Sequence, residues 1–510
     1  MVNTVYDVTS AGKADAPAIG APGRAWLAYG GLKKLTDDTL AVLNGVGIGR
    51  GDRVAMVVPN GPEMASSFIA VASGTTSAPL NPAYRDEEFE FYLEDLKPKA
   101  VIVQQGMDSP VRAVASKVGV PIVELVPTAD APAGTFTLDV SALKPAKAAK
   151  PGTSVGEEIA LVLHTSGTTA RPKIVPLSTA NLAASARHIG KSLELTPADR
   201  CLNIMPLFHI HGLIAATLSS LAAGASVSCT PGFNALRFFA WLEDVKPTWY
   251  TAVPTMHQAI LGRLRSHAEA AKAAKLRFIR SSSASLPPQV MAELEAAFDC
   301  PVIEAYGMTE ASHQMASNAL PPGKRKPGAV GLAAGPKIAI MDDAGHMLPQ
   351  GTIGEVVIQG PNVTAGYDNN PDANLKAFAD GWFRTGDQGR FDEDGYLFLT
   401  GRLKEIINRG GEKISPIEID VILMDHPAVE QCVTFAIPHP KLGEEVGAVV
   451  VLRSGTECTE RELRDFVAKH VADFKVPRKV VFVSEIPKGA TGKLQRIGLA
   501  AKLGLGEATA

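Results

Sequence analysis

Hydrophobic and polar positions along this chain change period again and again. Leu35 to Leu43 has the pattern of an amphipathic helix, and Arg53-Val54-Ala55-Met56-Val57-Val58-Pro59 follows as the unbroken apolar run of a buried strand. Glu87 to Leu96 returns to the helical pattern, and Ala100-Val101-Ile102-Val103 to the strand run. That alternation predicts an α/β fold in which parallel-type sheets are flanked by helices, because parallel strands need crossovers and lie buried on both faces. Thr128 to Gly152, rich in Ala, Pro, Lys and Gly, predicts a surface connection before the strand Ile159-Ala160-Leu161-Val162-Leu163. Between Pro336 and Leu399 the segments shorten around turns at Asp343-Ala344-Gly345 and Asp394-Gly395, which predicts a small β unit. A new rhythm begins at Gly401: a strand, a helix from Pro416, a strand from Val429 and a helix from Glu460 to Val471. The boundary is expected near Thr400-Gly401-Arg402, with a large N-terminal domain over residues 1–400 and a small C-terminal α+β domain over 401–510.

Composition narrows the function classes. A chain of 510 residues is too long for one core. With 46% hydrophobic and 20% charged residues it has the make-up of an ordinary soluble globular protein. A net charge of −3 gives no basic field to attract nucleic acid or an anionic membrane. The five cysteines, Cys201, Cys229, Cys300, Cys432 and Cys458, are scattered without a CxxC pair, which suits a reducing compartment and neither a disulfide framework nor a zinc site. The first thirty residues hold Lys13 and Asp15 and no apolar core like that of a signal peptide. Leu213 to Ala225 is interrupted by Ser219, Ser220 and Gly224 and is too short to span a bilayer. The final Glu507-Ala508-Thr509-Ala510 is not a peroxisomal address. A cytoplasmic protein with no membrane span is expected.

Four segments carry candidate chemistry. Thr165-Ser166-Gly167-Thr168-Thr169-Ala170-Arg171-Pro172-Lys173 follows a predicted strand with hydroxyls, a glycine and two cations, the groups that handle a polyphosphate. It lacks the Gly-Lys-Ser/Thr of a Walker A loop, and alone it reads as a surface loop. In Glu304-Ala305-Tyr306-Gly307-Met308-Thr309-Glu310, Tyr306 can stack a base, Thr309 can donate to a phosphate and Glu310 can hold Mg²⁺. Its plainer reading is a strand end with a solvated glutamate. Trp382-Phe383-Arg384-Thr385-Gly386-Asp387 puts Asp387 past a tight turn, where it can accept ribose hydroxyls, with Arg402 as a further donor. Pro487-Lys488-Gly489-Ala490-Thr491-Gly492-Lys493-Leu494-Gln495-Arg496 holds a lone lysine behind a small flexible loop.

In this order the four segments resemble the adenylate-forming superfamily of acyl-CoA synthetases, peptide-synthetase adenylation domains and luciferases, from Gly51-Asp52-Arg53-Val54 through to Lys493. The resemblance implies a two-step reaction: ATP and a carboxylate give an acyl-adenylate and pyrophosphate, and a thiol then takes the acyl group. It implies that Lys493 bridges carboxylate and α-phosphate in the transition state, that Glu310 holds Mg²⁺, and that the loop Thr165, Ser166, Gly167, Thr168, Thr169 to Lys173 closes over the β- and γ-phosphates. Tyr306 and the turn Ser283-Ala284-Ser285 would flank adenine, Asp387 and Arg402 would bind ribose, and Glu304, Ala305, Gly307 and Met308 are counted with the cofactor-binding residues; Thr309 and His209 are counted with the catalytic ones, His209 in a structural or gating role. A mobile C-terminal domain would swing about a hinge just after Arg402, near Lys404. That motion would present Asn408-Arg409-Gly410-Gly411-Glu412-Lys413 to coenzyme A, with Lys404 and Arg409 toward its phosphates and Gly410 and Gly411 allowing close approach. The departure is Ala170, where relatives have glycine; its methyl stiffens the loop.

The acid is read from His211, Ser283 and His313, which the resemblance puts on the acyl pocket walls. Two imidazoles and a hydroxyl suit a second carboxylate better than a fatty tail, and an anion there would favour protonated histidine. Read on their own, both histidines are equally well core residues. Glu304 to Met315, Ser317-Asn318, Pro321 to Gly328 and Asn408 to Pro416 look closely like oxalate–CoA ligases. Malonate-activating relatives carry an arginine where this chain has Ala305. Oxalate is therefore the expected acid. A medium- or long-chain fatty acid, another small carboxylate, a carrier-protein thiol, and a non-catalytic nucleotide-binding role are the alternatives. Lys493, expected on an exposed loop, is also a candidate for a lysine acyltransferase or deacylase.

Overall fold

Two largely parallel sheets frame the bigger part of the molecule. The computed structural model describes residues 2–165, 172–488 and 493–505. One sheet has seven strands in the order Phe136–Asp139, Ile122–Pro127, Ala100–Gln104, Arg53–Val57, Thr76–Pro79, Ile159–His164 and Ile174–Ser178, parallel except at its two ends. The other has nine. At its centre Arg200–Asn203, Trp249–Ala252, Phe278–Ser282 and Val302–Met308 run parallel, and His313–Ser317 folds back antiparallel on the last. The helix Pro62–Ala72, buried along its whole length, and the helix Thr179–Ser192 each touch both sheets and fill the space between them. Ser178 caps the latter: its hydroxyl accepts from Asn181 N at 3.1 Å, while the Asn181 amide oxygen accepts from Ser178 N.

The predicted small β unit is an antiparallel sheet of five strands, Lys337–Met341, Gly354–Gln359, Phe378–Ala379, Trp382–Phe391 and Leu397–Arg402. Beyond it a second five-stranded sheet forms the core of the small domain, with Val429–His439 and Gly443–Leu452 as its long hairpin and the helices Pro416–Met424 and Glu460–Ala468 against it. One expectation fails within Thr128 to Gly152, which contains the strand Phe136–Asp139. Its residues bury only Phe136, because it pairs on one side at a sheet edge, so no apolar alternation announces it. No helix among the described residues is long and apolar enough to cross a membrane.

Candidate active site

The loop Pro206-Leu207-Phe208-His209 leads into His211–Leu218, which winds as a π-helix, a wide turn found most often at functional sites. Gly212 makes the entry possible, since a Cβ there would stand 2.3 Å from the Pro206 carbonyl oxygen. His211 is buried, its Nδ1 3.0 Å from Ser283 Oγ and its Nε2 2.7 Å from Thr251 Oγ1. Ser283 holds a left-handed φ of 76°, unusual for a side chain with a Cβ. Opposite stands His313, its ring centroid 5.0 Å from that of His211. It is buried, at φ 92°, and neither ring nitrogen has a hydrogen-bond partner among the described residues. Gly307 lies against it: an added Cβ would fall 1.7 Å from the His313 carbonyl oxygen, at the point where strand register slips. The structure thus brings together the three residues expected to line the acyl pocket.

Beneath them lies a residue the sequence reading missed. Arg280 is fully buried on the strand Phe278–Ser282, where it donates to Gln314 Oε1 at 3.1 Å and to Thr251 Oγ1 at 3.4 Å. Its Nε lacks a partner, and no carboxylate pairs with it among the described residues. Burial pushes its guanidinium down to about 9. The signal was an arginine inside a strand buried on both faces, where a lone cation is costly. Burial drives His211 and His313 well below the ordinary imidazole value, and Arg280 and Lys493 add to the effect. Both rings are therefore neutral in the free protein, and the protonated form expected from an anionic ligand is not the resting one.

Among the residues expected at the nucleotide, Tyr306 donates its hydroxyl to Asp387, and Asp387 faces Arg402 across two strands, Oδ1 to Nε 3.4 Å. Lys493 comes to this group from the small domain. It is partly buried and not exposed as expected, because it lies close enough to Arg402 and Asp387 to feel both charges. Burial and then the Arg402 charge bring its amine down to about 8, with Asp387 opposing. The Lys493 charge also bears on His209, His211 and His313.

Glu310 is buried and accepts from the Tyr367 hydroxyl at 2.8 Å, and Lys173 Nζ sits 4.1 Å from the Tyr367 ring centre. Burial raises the Glu310 carboxyl, while Arg402 and Lys173 hold it toward the charged form. One carboxylate facing cations in a dry cleft fits a Mg²⁺ ion that takes its remaining ligands from phosphate and water. Thr309 opens the tight turn that carries Glu310, and its carbonyl accepts from Ser312 N at 3.0 Å. Thr165 and Lys173, at the two ends of the segment expected to handle phosphates, are bonded to each other, Thr165 N to the Lys173 carbonyl and Lys173 N to the Thr165 hydroxyl. Ser166, Gly167, Thr168, Thr169 and Ala170 lie outside the described residues.

The Glu304 side chain is bonded within the protein. Its Oε1 accepts from Leu286 N at 2.9 Å, so it braces the turn Ser283-Ala284-Ser285 from beneath, and burial lifts its carboxyl to about 8. Ala305 serves the same turn through its carbonyl, which accepts from Ser282 Oγ. Burial depresses the Lys173 amine, and the Lys404 charge adds to this while Glu310 opposes it. Arg409 is ion-paired with Glu445 of its own domain at 2.6 Å, and Gly410 and Gly411 form the left-handed turn of the adjoining hairpin. Among the described residues, no hydrogen bond joins these three to the histidine cluster.

The sequence matches the family model described as AMP-binding enzyme over residues 6–368, and that described as AMP-binding enzyme C-terminal domain over 418–493. It is 46% identical to the oxalate–CoA ligase of Arabidopsis thaliana, covering 94% of each chain. It is 44% identical to the oxalate–CoA ligase of Saccharomyces cerevisiae, covering 88% of this chain and 86% of the yeast protein. The ATP-bound crystal structure of MatB from Rhodopseudomonas palustris superposes with a TM-score of 0.87 at 31% identity, over 97% of both chains.

Proposed function

The chain belongs to the AMP-binding enzyme family and is an ATP-dependent CoA ligase; we propose that its acid is oxalate, converted with ATP and CoA to oxalyl-CoA, AMP and pyrophosphate. The observation that carries this reading is the unpartnered His313 facing His211 and Ser283 above a buried, unpaired arginine. A second carboxylate one bond from the reacting carbon supplies the acceptor that these groups lack. A fatty tail would leave the His313 ring and Arg280 Nε unsatisfied.

In this reading the oxalate carboxylate attacks the α-phosphate, pyrophosphate leaves, and Lys493 offsets the charge that builds between them. Glu310 would hold Mg²⁺, which when bound would neutralise phosphate charge. Thr165 and Lys173 border the loop over the outer phosphates, Asp387 and Arg402 bind ribose, and Tyr306 flanks the base. Thr309 and His209 adjoin the reacting groups. The domain boundary falls at residues 400 and 401, and rotation just after Arg402 withdraws Lys493 and brings Arg409, Gly410 and Gly411 to CoA. All five cysteines are free thiols, which fits a cytoplasmic setting. Acylation of Lys493 by a modifying enzyme would remove its charge, and its partly buried position requires the small domain to be swung out first.

The test is AMP formation dependent on CoA and ATP, with oxalate beside malonate, acetate, octanoate and 4-coumarate at equal concentration. Strong preference for oxalate is expected. Preference for octanoate or coumarate would overturn the acid and return both histidines to a packing role.

A further inference from the structure

His211 stands in a hydrogen-bond series whose direction is set at one end. The guanidinium of Arg280 can only donate, and it donates to Thr251 Oγ1. The other contact of that oxygen is His211 Nε2 at 2.7 Å. Among the described residues the Thr251 hydroxyl has no other acceptor, and a fully buried O–H without one is costly. The hydroxyl therefore donates to Nε2. A neutral imidazole carries one N–H, so its proton is on Nδ1 and is given to Ser283 Oγ at 3.0 Å. The neutral form is the one that burial beside Arg280 and Lys493 enforces. Ser283 then receives one hydrogen bond and keeps its own O–H free, on a partly exposed turn braced from below by Glu304.

We infer that Arg280 and Thr251 are positioning residues that fix His211 as its Nδ1–H tautomer and so turn Ser283 into a hydrogen-bond donor toward an acid carrying a second carboxylate. The selection is one of polarity. If the series ran the other way, Ser283 would donate to His211 and show lone pairs to the acid, which would repel a carboxylate oxygen. The inference rests on the oxalate reading for the identity of the acid, and not for the tautomer.

Two measurements test it. Histidine labelled with ¹⁵N, with the His211 signals assigned by loss in the His211→Gln protein, reports which ring nitrogen holds the proton. Nδ1–H is expected in the unmodified enzyme and in Thr251→Ser, with the signals displaced in Thr251→Val and Arg280→Met. In steady state Thr251→Val should raise KM for oxalate about tenfold or more, as for loss of a buried hydrogen bond, with KM for ATP changed less than about twofold. Thr251→Ser should restore it, which loss of packing alone would not allow. An Nε2–H His211 in the unmodified enzyme overturns the inference. So does a folded Thr251→Val enzyme with unchanged preference for oxalate over acetate. If Arg280→Met does not fold, the two Thr251 variants decide. Should another acid be preferred while His211 is Nδ1–H and responds to Thr251→Val, the oxalate reading falls and the relay stands.

Discussion

Lys493 brings its charge to a place already short of anions. Its amine, lowered to about 8, is charged below that pH and neutral above it. Because kcat/KM reports the free enzyme, kcat/KM for ATP in the adenylation half-reaction should fall as pH rises through about 8, while kcat holds to higher pH because bound phosphate favours the charged amine. A profile flat to pH 10 would contradict the placement. His313→Ala should lower kcat/KM for oxalate by roughly 100-fold and leave KM for ATP nearly intact, read by pyrophosphate exchange. Gly307→Ala forces a methyl into the His313 backbone and should cost roughly 1–3 kcal/mol in urea unfolding, with oxalate use falling further than stability predicts. His211, Ser283, His313, Glu310 and Asp387 stand in short recognisable segments that name them as candidates, and the structure brings the first three together. Arg280, Thr251 and Tyr367 were not legible in the sequence. Arg280 and Thr251 are each one polar letter in a buried strand, and only the pairing of distant strands puts them side by side, while Tyr367 sits in the loop between Gly354–Gln359 and the helix Pro371–Ala377.

At the scale of elements, the helix Thr179–Ser192 links the fold to the pocket. Its Ser185 hydroxyl donates to the Ser312 carbonyl at 2.6 Å, beside His313. The cap at its start is therefore felt in the site. Ser178→Ala should cost about 1 kcal/mol by chemical denaturation, and a neutral result would show the capping box to be redundant. The strand and helix pattern was read correctly where apolar runs were long, as at Arg53–Val57 and Asp86–Leu96. It was blind to Phe136–Asp139 and to the π winding of His211–Leu218, since i→i+5 bonding leaves no mark on hydropathy.

For the whole molecule, the change of rhythm near Gly401 was enough to foresee a second, smaller domain, but not how it docks. Between the two, Arg453 reaches Glu293 at 3.4 Å and Gln258 donates to the Glu430 carbonyl. An exposed pair of this kind contributes about 1 kcal/mol at most. Glu293→Gln should accordingly slow acyl-adenylate formation by less than about fivefold in single-turnover assays and leave thioester formation from supplied adenylate unharmed. A loss in the second step instead would mean that the pair belongs to the other arrangement.

The Arg402 charge opposes Lys493 where it arrives and the Asp387 carboxylate favours it, so its seat responds to any charge added there. In the proposed two-step reaction, ATP and the acid would add negative charge beside the lysine, and departure of pyrophosphate would remove much of it. The leaving group would then help to set the moment of exit.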